Sequence, residues 1–291
     1  MKLAVNFSEA LLILFAEDPG LPVDFVKVPT IPFPECFSQF ERGRVFRKLM
    51  PHLAQTGVIS LGHPLPREQF NRELVAKVIN LTEPPYLSTH LEAMVDFFPG
   101  FQNEQHQFHP ELHKEMLDRF LNGIDLVKKE TGLPLLVENI PYYPWGRHYK
   151  LGSDPAFITE VCEAGDCGLL LDIAHARCSA WNFGISIEEY LKGLPLHRMV
   201  EIHLAGTELR GEGIRDTHTK LTDDDYQLFE PILGMVNPET VTIEYGGLPD
   251  RIMDPEQKFE PIQRNDPLEL KEMIERVLAI FDASLIRLGR V

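Results

Sequence analysis

The residues in this sequence best suited to hold metal ions are histidines and carboxylates that close short apolar runs. SLGH ends at His63, STH at His90, LVE at Glu138, LLLD at Asp172 with His175 three residues on, EIH at His203 and TIE at Glu244. Asp216 and His218 follow in the glycine-rich stretch AGTELRGEGIRDTH; as an extended i, i+2 pair they would point the same way, about 7 Å apart at the backbone. Four of these side chains are carboxylates. Two carboxylates about 6 Å apart repel by about 3 kcal/mol at an effective dielectric of about 20, so a cluster of them requires protons or cations. Mixed imidazole and carboxylate ligation suits iron, zinc or manganese rather than magnesium or calcium. A lone strand-end His or Asp is more often a loop anchor, but that reading would have to hold for every member at once.

Short β-rich runs alternate with helical patterns along the whole chain, the mark of βα units and a parallel sheet. Strands are expected at 2–7, 23–28, 57–61, 86–89, 134–137, 168–171, 199–202 and 240–243, and helices at 8–16, 41–54, 67–81, 110–131, 154–164, 186–193, 222–235 and 267–285. Start signals support several helices: Asp154 then Pro155, Ser186 then Glu189, Thr222 then Asp225, Asp266 then Pro267. Eight strand–helix units predict an α/β fold, one (β/α)8 TIM barrel over residues 1–291, whose active face is built from the loops after the strands. The longer loops, 98–109, 141–152 and 246–265, all follow a strand and so fall on that face.

Composition narrows the setting. The chain of 291 residues is 44% hydrophobic and 25% charged, enough to bury a core. No apolar run approaches a membrane span, and MKLAVNFSEA lacks the features of a signal peptide, so a cytoplasmic protein with no membrane association is expected. Cys36, Cys162, Cys167 and Cys178 show no CxxC spacing and are expected to be free thiols. A net charge of −16 argues against nucleic acid as a partner.

Other candidates read differently. His106, His109 and His113 in HQFHPELH suit a solvated helix start, and His148 and His197 suit loop and surface positions. His52 in LMPHLAQ, expected near a helix end, is the alternative to His63 as first ligand. Tyr142, Tyr143 and Trp145 either pack their loop or wall a substrate, and Asn139, Arg177 and Asn182 either orient ligands or touch substrate or serve as ordinary loop anchors.

The ordered set His63, His90, Glu138, Asp172 with His175, His203, Asp216 with His218, and Glu244 resembles the xylose isomerase-like barrels with a trinuclear site, of which endonuclease IV is the familiar case. Within that superfamily, STHLE, LLLDIAHARCSAWNFG and EIHLAGTELRGEGIRDTH resemble the multinuclear non-haem iron-dependent oxidative enzymes, from the first strand to about residue 285. The resemblance implies one ion at His63, His90 and Glu138; a second sharing Glu138 with Asp172, His203 and Glu244; and a third at His175, Asp216 and His218. Glu138, Asp172, His203 and Glu244 would form the catalytic centre. The cofactors implied are two or three iron ions, zinc and manganese being alternatives, with O2 as co-substrate. The substrate implied is a peptide or small protein, modified at a cysteine held as thiolate by iron, and a partner protein would present it. A phosphodiesterase of the endonuclease IV kind and a sugar isomerase or epimerase are the alternative activities. Two departures stand out. Family members carry a segment like HGVGLSLG after the first histidine, whereas here SLG precedes His63, and a shifted alignment puts Gln55 in its place; many members also have Asn where His175 stands.

Overall fold

The computed structural model describes residues 1–30, 34–53, 58–211, 213–246 and 266–287. Eight parallel strands close a barrel: β1 (Lys2–Asn6), β2 (Phe25–Thr30), β3 (Lys48–Leu53), β4 (Leu87–His90), β5 (Leu135–Glu138), β6 (Gly168–Asp172), β7 (Met199–Leu204) and β10 (Thr240–Ile243). An antiparallel hairpin, β8 (Gly206–Arg210) and β9 (Gly213–Thr219), stands outside the barrel after β7. The chain closes on itself because β1 pairs with both β2 and β10.

Around the barrel run α1 (Glu9–Glu17), α2 (Pro34–Arg44), α3 (Pro66–Gln69), α4 (Arg72–Thr82), α5 (Pro110–Thr131), α6 (Pro155–Ala164), α7 (Ile173–Phe183), α8 (Ile187–Lys192), α9 (Asp223–Met235) and α10 (Pro267–Arg287). Their starts are chemically marked. Asp154 caps α6 through the amides of Ala156 and Phe157, and Thr222 and Asp225 form a reciprocal capping box on α9.

The third strand corrects the sequence reading. It spans Lys48–Leu53, where a helix over 41–54 is expected, and Val58–Leu61 is a buried loop rather than a strand. The buried loop is packed through Gly62, where a Cβ would stand 2.6 Å from the carbonyl of Glu92 and 2.9 Å from the Phe120 ring. The expected helix over 67–81 is divided at Phe70–Asn71, where Asn71 caps α4. Helix α7 follows β6 without a loop, and the expected glycine-rich loop after β7 is the β8–β9 hairpin. Most of the expected 246–265 loop lies outside the described residues, as does Gln55.

Inside the barrel the side chains alternate with period two. Met50, Leu136 and Leu170 pack together, with Tyr86, as an apolar floor, each two residues before His52, Glu138 and Asp172. Ser88, Glu201 and Thr242, two residues before His90, His203 and Glu244, make the rest of that floor polar, and Lys27 joins them. Candidate ligands therefore ring the C-terminal end of a filled barrel, where active sites of this fold lie. Among the described residues no helix is long and apolar enough to cross a membrane. Cys162, Cys167 and Cys178 are free and buried.

Candidate metal centre

Three overlapping groups of side chains offer ligand atoms that all lie within 4.8 Å of one another: His52, His90 and Glu138; Glu138, Asp172 and His175; Asp172, His203 and Glu244. Glu138 sits at the hub. Its carboxylate oxygens are 3.7 Å from His52 Nε2, 3.6 Å from His90 Nε2, 3.4 Å from His175 Nδ1 and 3.7 Å from His203 Nδ1. These spacings follow from strand register, since β4 pairs His90 with Glu138 and β6 pairs Asp172 with His203.

Asp172 ends β6 and caps α7, its Oδ1 accepting the His175 amide at 2.7 Å. Asn139 clamps the Asp172 backbone from both sides, donating to its carbonyl at 3.0 Å and accepting its amide at 2.8 Å. The Asn139 carbonyl also lies 2.8 Å from His175 Nδ1. His203 Nε2 faces Glu201 Oε1 at 3.1 Å, so the proton belongs on Nε2 and Nδ1 is directed at Glu244, 3.2 Å away.

Asp216 and His218 arrive on the hairpin. The Asp216 Oδ2 stands between two imidazoles, 3.3 Å from His175 Nε2 and 3.1 Å from His218 Nε2. A register shift pairs Gly206 with Thr219 but Thr207 with Asp216, leaving Thr217 and His218 as a bulge that re-aims His218. Its backbone takes a positive φ of 48°, rare for a non-glycine residue. Gly206 permits the crossing, for a Cβ there would lie 2.5 Å from the carbonyls of Thr219 and Lys220.

Several residues named from sequence stand elsewhere. His63 joins none of the three groups: its Nδ1 accepts the Leu65 amide at 3.1 Å and its ring lies against Phe97. The displacement follows from the third strand, which brings His52 to the barrel mouth in its stead. Arg177 pairs with Asp225 and ties α7 to α9, and Asn182 donates to the carbonyls of Tyr142 and Cys178. His109 caps α5, while His106 bonds Tyr142 and His113 pairs with Glu160. Tyr142 and Tyr143 pack their loop, and Trp145 is half exposed. Sequence reasoning missed Lys27, Ser88 and Glu201 beneath the ligands; the only signal was a lysine between two valines of a strand.

The electrostatics suit cations. Burial, opposed by His175 and aided by Asp216, Glu138 and Glu244, pushes the Asp172 carboxyl up to about 7. Against burial, His90 and His203 hold Glu138 well below the ordinary range, and His203 with His218 holds Glu244 at about 2. Burial opposes protonation of His175 and His218, yet Asp172 and Asp216 lift the first, and Asp216 the second, to about 10. His52, by contrast, is driven down to about 3 by burial and by His90. Glu138 Oε2, Asp172 Oδ2 and His203 Nδ1 are buried and, among the described residues, have no hydrogen-bond partner. Such orphaned atoms are costly unless something coordinates them, and these three belong to the ligand groups. The donor set fits iron, zinc or manganese.

Comparison with known proteins agrees with the barrel fold. A xylose isomerase domain protein from Alicyclobacillus acidocaldarius subsp. acidocaldarius superposes with a TM-score of 0.60 at 15% identity over 98% of this chain and 99% of that one. Endonuclease IV from Thermus thermophilus gives 0.53 at 14% identity over 95% and 99%. At such identity the likeness concerns the fold alone. In sequence, the chain is 32% identical over 200 residues to a UPF0276 protein of Rhizobium meliloti (strain 1021), covering 66% of this chain and 63% of that protein. It is 28% identical over 220 residues to a UPF0276 protein of Pseudomonas aeruginosa, covering 74% of each. The chain thus spans slightly under two thirds of the Rhizobium protein. The family model described as RiPP precursor modification enzyme MbnB/TglH/ChrH matches residues 24–252. The chain therefore belongs to the MbnB/TglH/ChrH family of RiPP precursor modification enzymes, the multinuclear non-haem iron family that its strand-end motifs resemble.

Proposed function

We propose that this enzyme is an iron-dependent oxidase that consumes O2 and modifies a cysteine of a peptide or small-protein substrate, delivered by a partner protein. The observation carrying the reading is the convergence of three orphaned buried atoms, Glu138 Oε2, Asp172 Oδ2 and His203 Nδ1, on overlapping ligand groups in a chain of this family. His52, His90 and Glu138 would hold one ion, Asp172, His203 and Glu244 a second with Glu138 shared, and His175, Asp216 and His218 a third. Iron, when bound there, would supply the thiolate affinity and the redox chemistry with O2.

The chain's own residues supply position and charge. Glu138 lies in reach of four imidazoles and can serve two ions at once. Asp172 keeps its Oδ2 available because its Oδ1 is committed to the helix amide. His203 keeps a proton on Nε2, where Glu201 accepts it, and presents Nδ1 to the centre. Apolar residues of the floor, Met50, Leu136 and Leu170, exclude water from below.

The test is metal analysis and Mössbauer spectroscopy of protein purified without oxygen, followed by O2 uptake and peptide mass change with a cysteine-bearing precursor. Iron with cysteine-dependent O2 uptake supports the reading. Zinc alone, with cleavage of abasic DNA, would replace it by the phosphodiesterase.

A further inference from the structure

Beneath the ligands lies a charged residue that metal binding alone does not explain. Lys27 is 2% exposed and, among the described residues, is the only buried lysine or arginine. A buried ammonium needs partners for each of its three N–H groups. Lys27 has them: Nζ donates to Glu201 Oε1 and Oε2, both at 2.8 Å, and to Ser88 Oγ at 3.2 Å. Among the described residues these three contacts account for all three donors of the amine.

Both partners pass the contact to a ligand histidine. Glu201, also bonded by Thr242 Oγ1 at 2.6 Å, accepts from His203 Nε2 at 3.1 Å. A carboxylate only accepts, so this bond fixes the tautomer with Nδ1 as the free nitrogen. Ser88 Oγ lies 2.9 Å from His52 Nδ1. Lysine can only donate, so Ser88 takes that bond on one lone pair and has a second with which to accept a proton from His52 Nδ1. This is the tautomer a metal ligand at His52 Nε2 requires, and Nε2 is the nitrogen that faces Glu138 at 3.7 Å and His90 Nδ1 at 3.3 Å. The two histidines belong to different ligand groups, His52 with His90 and Glu138, and His203 with Asp172 and Glu244.

We propose that Lys27 is a positioning residue for the metal centre: through Ser88 it orients His52 and through Glu201 it orients His203, so one buried ammonium sets ligands of two separate ion positions. The inference rests on the metal-centre reading above. It deepens that reading by making two ion sites depend on one residue that touches neither.

The experiment is anaerobic Co(II) titration, followed by visible absorption, with the bound ions located by anomalous diffraction. Ser88→Ala is expected to weaken the ion beside His52 by about tenfold to a hundredfold and spare the one beside His203, and Glu201→Gln to do the reverse. The charge-neutral pair Lys27→Met with Glu201→Gln keeps the floor free of an unpaired charge and is expected to weaken both, with altered spectra, in protein whose circular dichroism matches wild type. Folded variants that load both positions with wild-type affinity and spectra would overturn the proposal while leaving the metal-centre reading intact. Uniform loss at all positions in proportion to lost thermal stability would also overturn it, since that is what a merely structural lysine does. Wild-type protein that binds no Co(II) would overturn both readings.

Discussion

Asp172 caps the helix that carries His175: its Oδ1 accepts the His175 amide at 2.7 Å, while its Oδ2 lies 3.8 Å from the His175 Nδ1. One carboxylate thereby ends a strand, starts a helix and aims two candidate ligands at the same space. With α7 following β6 directly, the His175 imidazole is placed by rigid backbone rather than by a loop.

The two duties of Asp172 are separable by substitution. Asp172→Asn keeps an oxygen for the cap and removes the charge, so the variant should fold with stability close to the metal-free parent and lose the ion held with His203, Glu244 and Glu138. Asp172→Ala removes both and should cost about 1 kcal/mol more from the lost cap. Thermal melts of chelated proteins, set beside metal content, check this; equal metal content in Asp172→Asn would contradict the assignment.

His52 and His63 give a sharper contrast. His52 is buried 3.3 Å from His90 Nδ1, whereas His63 bonds its own loop. His52→Ala should lower iron content by about one ion per chain, and His63→Ala should leave it at the parent value. Elemental analysis of the two variants decides, and the opposite order would restore the third strand to 57–61.

Much of this was legible in the sequence, and the failures have physical causes. Barrel strands repeat their chemistry at i and i+2, so Glu138, Asp172, His203 and Glu244 announce themselves at the ends of apolar runs. Helix 110–131 matches α5 because Pro110 and Gly132 punctuate it. The third strand was obscured because Lys48, Pro51 and His52 look unlike a buried strand, while the apolar 58–61 run does. Lys27 was hidden by the same alternation that revealed the others. Val26 and Val28 suggest an outward lysine, but both faces of a barrel strand are buried, and here the valines face the helices. The hairpin bulge and the positive φ of His218 depend on tertiary register and leave no local signal.

The hairpin's hold on the centre is testable at Tyr143. Its hydroxyl donates to Cys178 Sγ at 3.4 Å and accepts the Asp216 amide at 3.1 Å, joining the β5 loop, α7 and β9. The Arg215 guanidinium lies 4.0 Å from the Trp145 ring centre and 5.0 Å from that of Tyr143, stacking the same strand onto that loop. Tyr143→Phe keeps the ring and should cost about 1 kcal/mol, concentrated in the hairpin. Amide exchange at Asp216 should quicken, and the ion beside Asp216 and His218 should dissociate faster than the others. Unchanged exchange at that amide would mean the ring contacts alone hold β9.

Chelation and Glu138→Gln together test whether cations hold the centre together. Glu138, Asp172, Asp216 and Glu244 face one another through a shell of imidazoles, and bound ions would relieve their repulsion. Each ion at about a hundred times its dissociation constant adds about 2.7 kcal/mol to stability, so chelating the wild type should lower its melting temperature by several degrees. Glu138→Gln removes the hub charge, and the variant should retain little iron and no oxidase activity. Its melting temperature should then respond weakly to chelator. A variant that keeps full iron content and a full chelator response would show that the ions are held without Glu138, and the overlapping arrangement of the ligand groups would have to be abandoned.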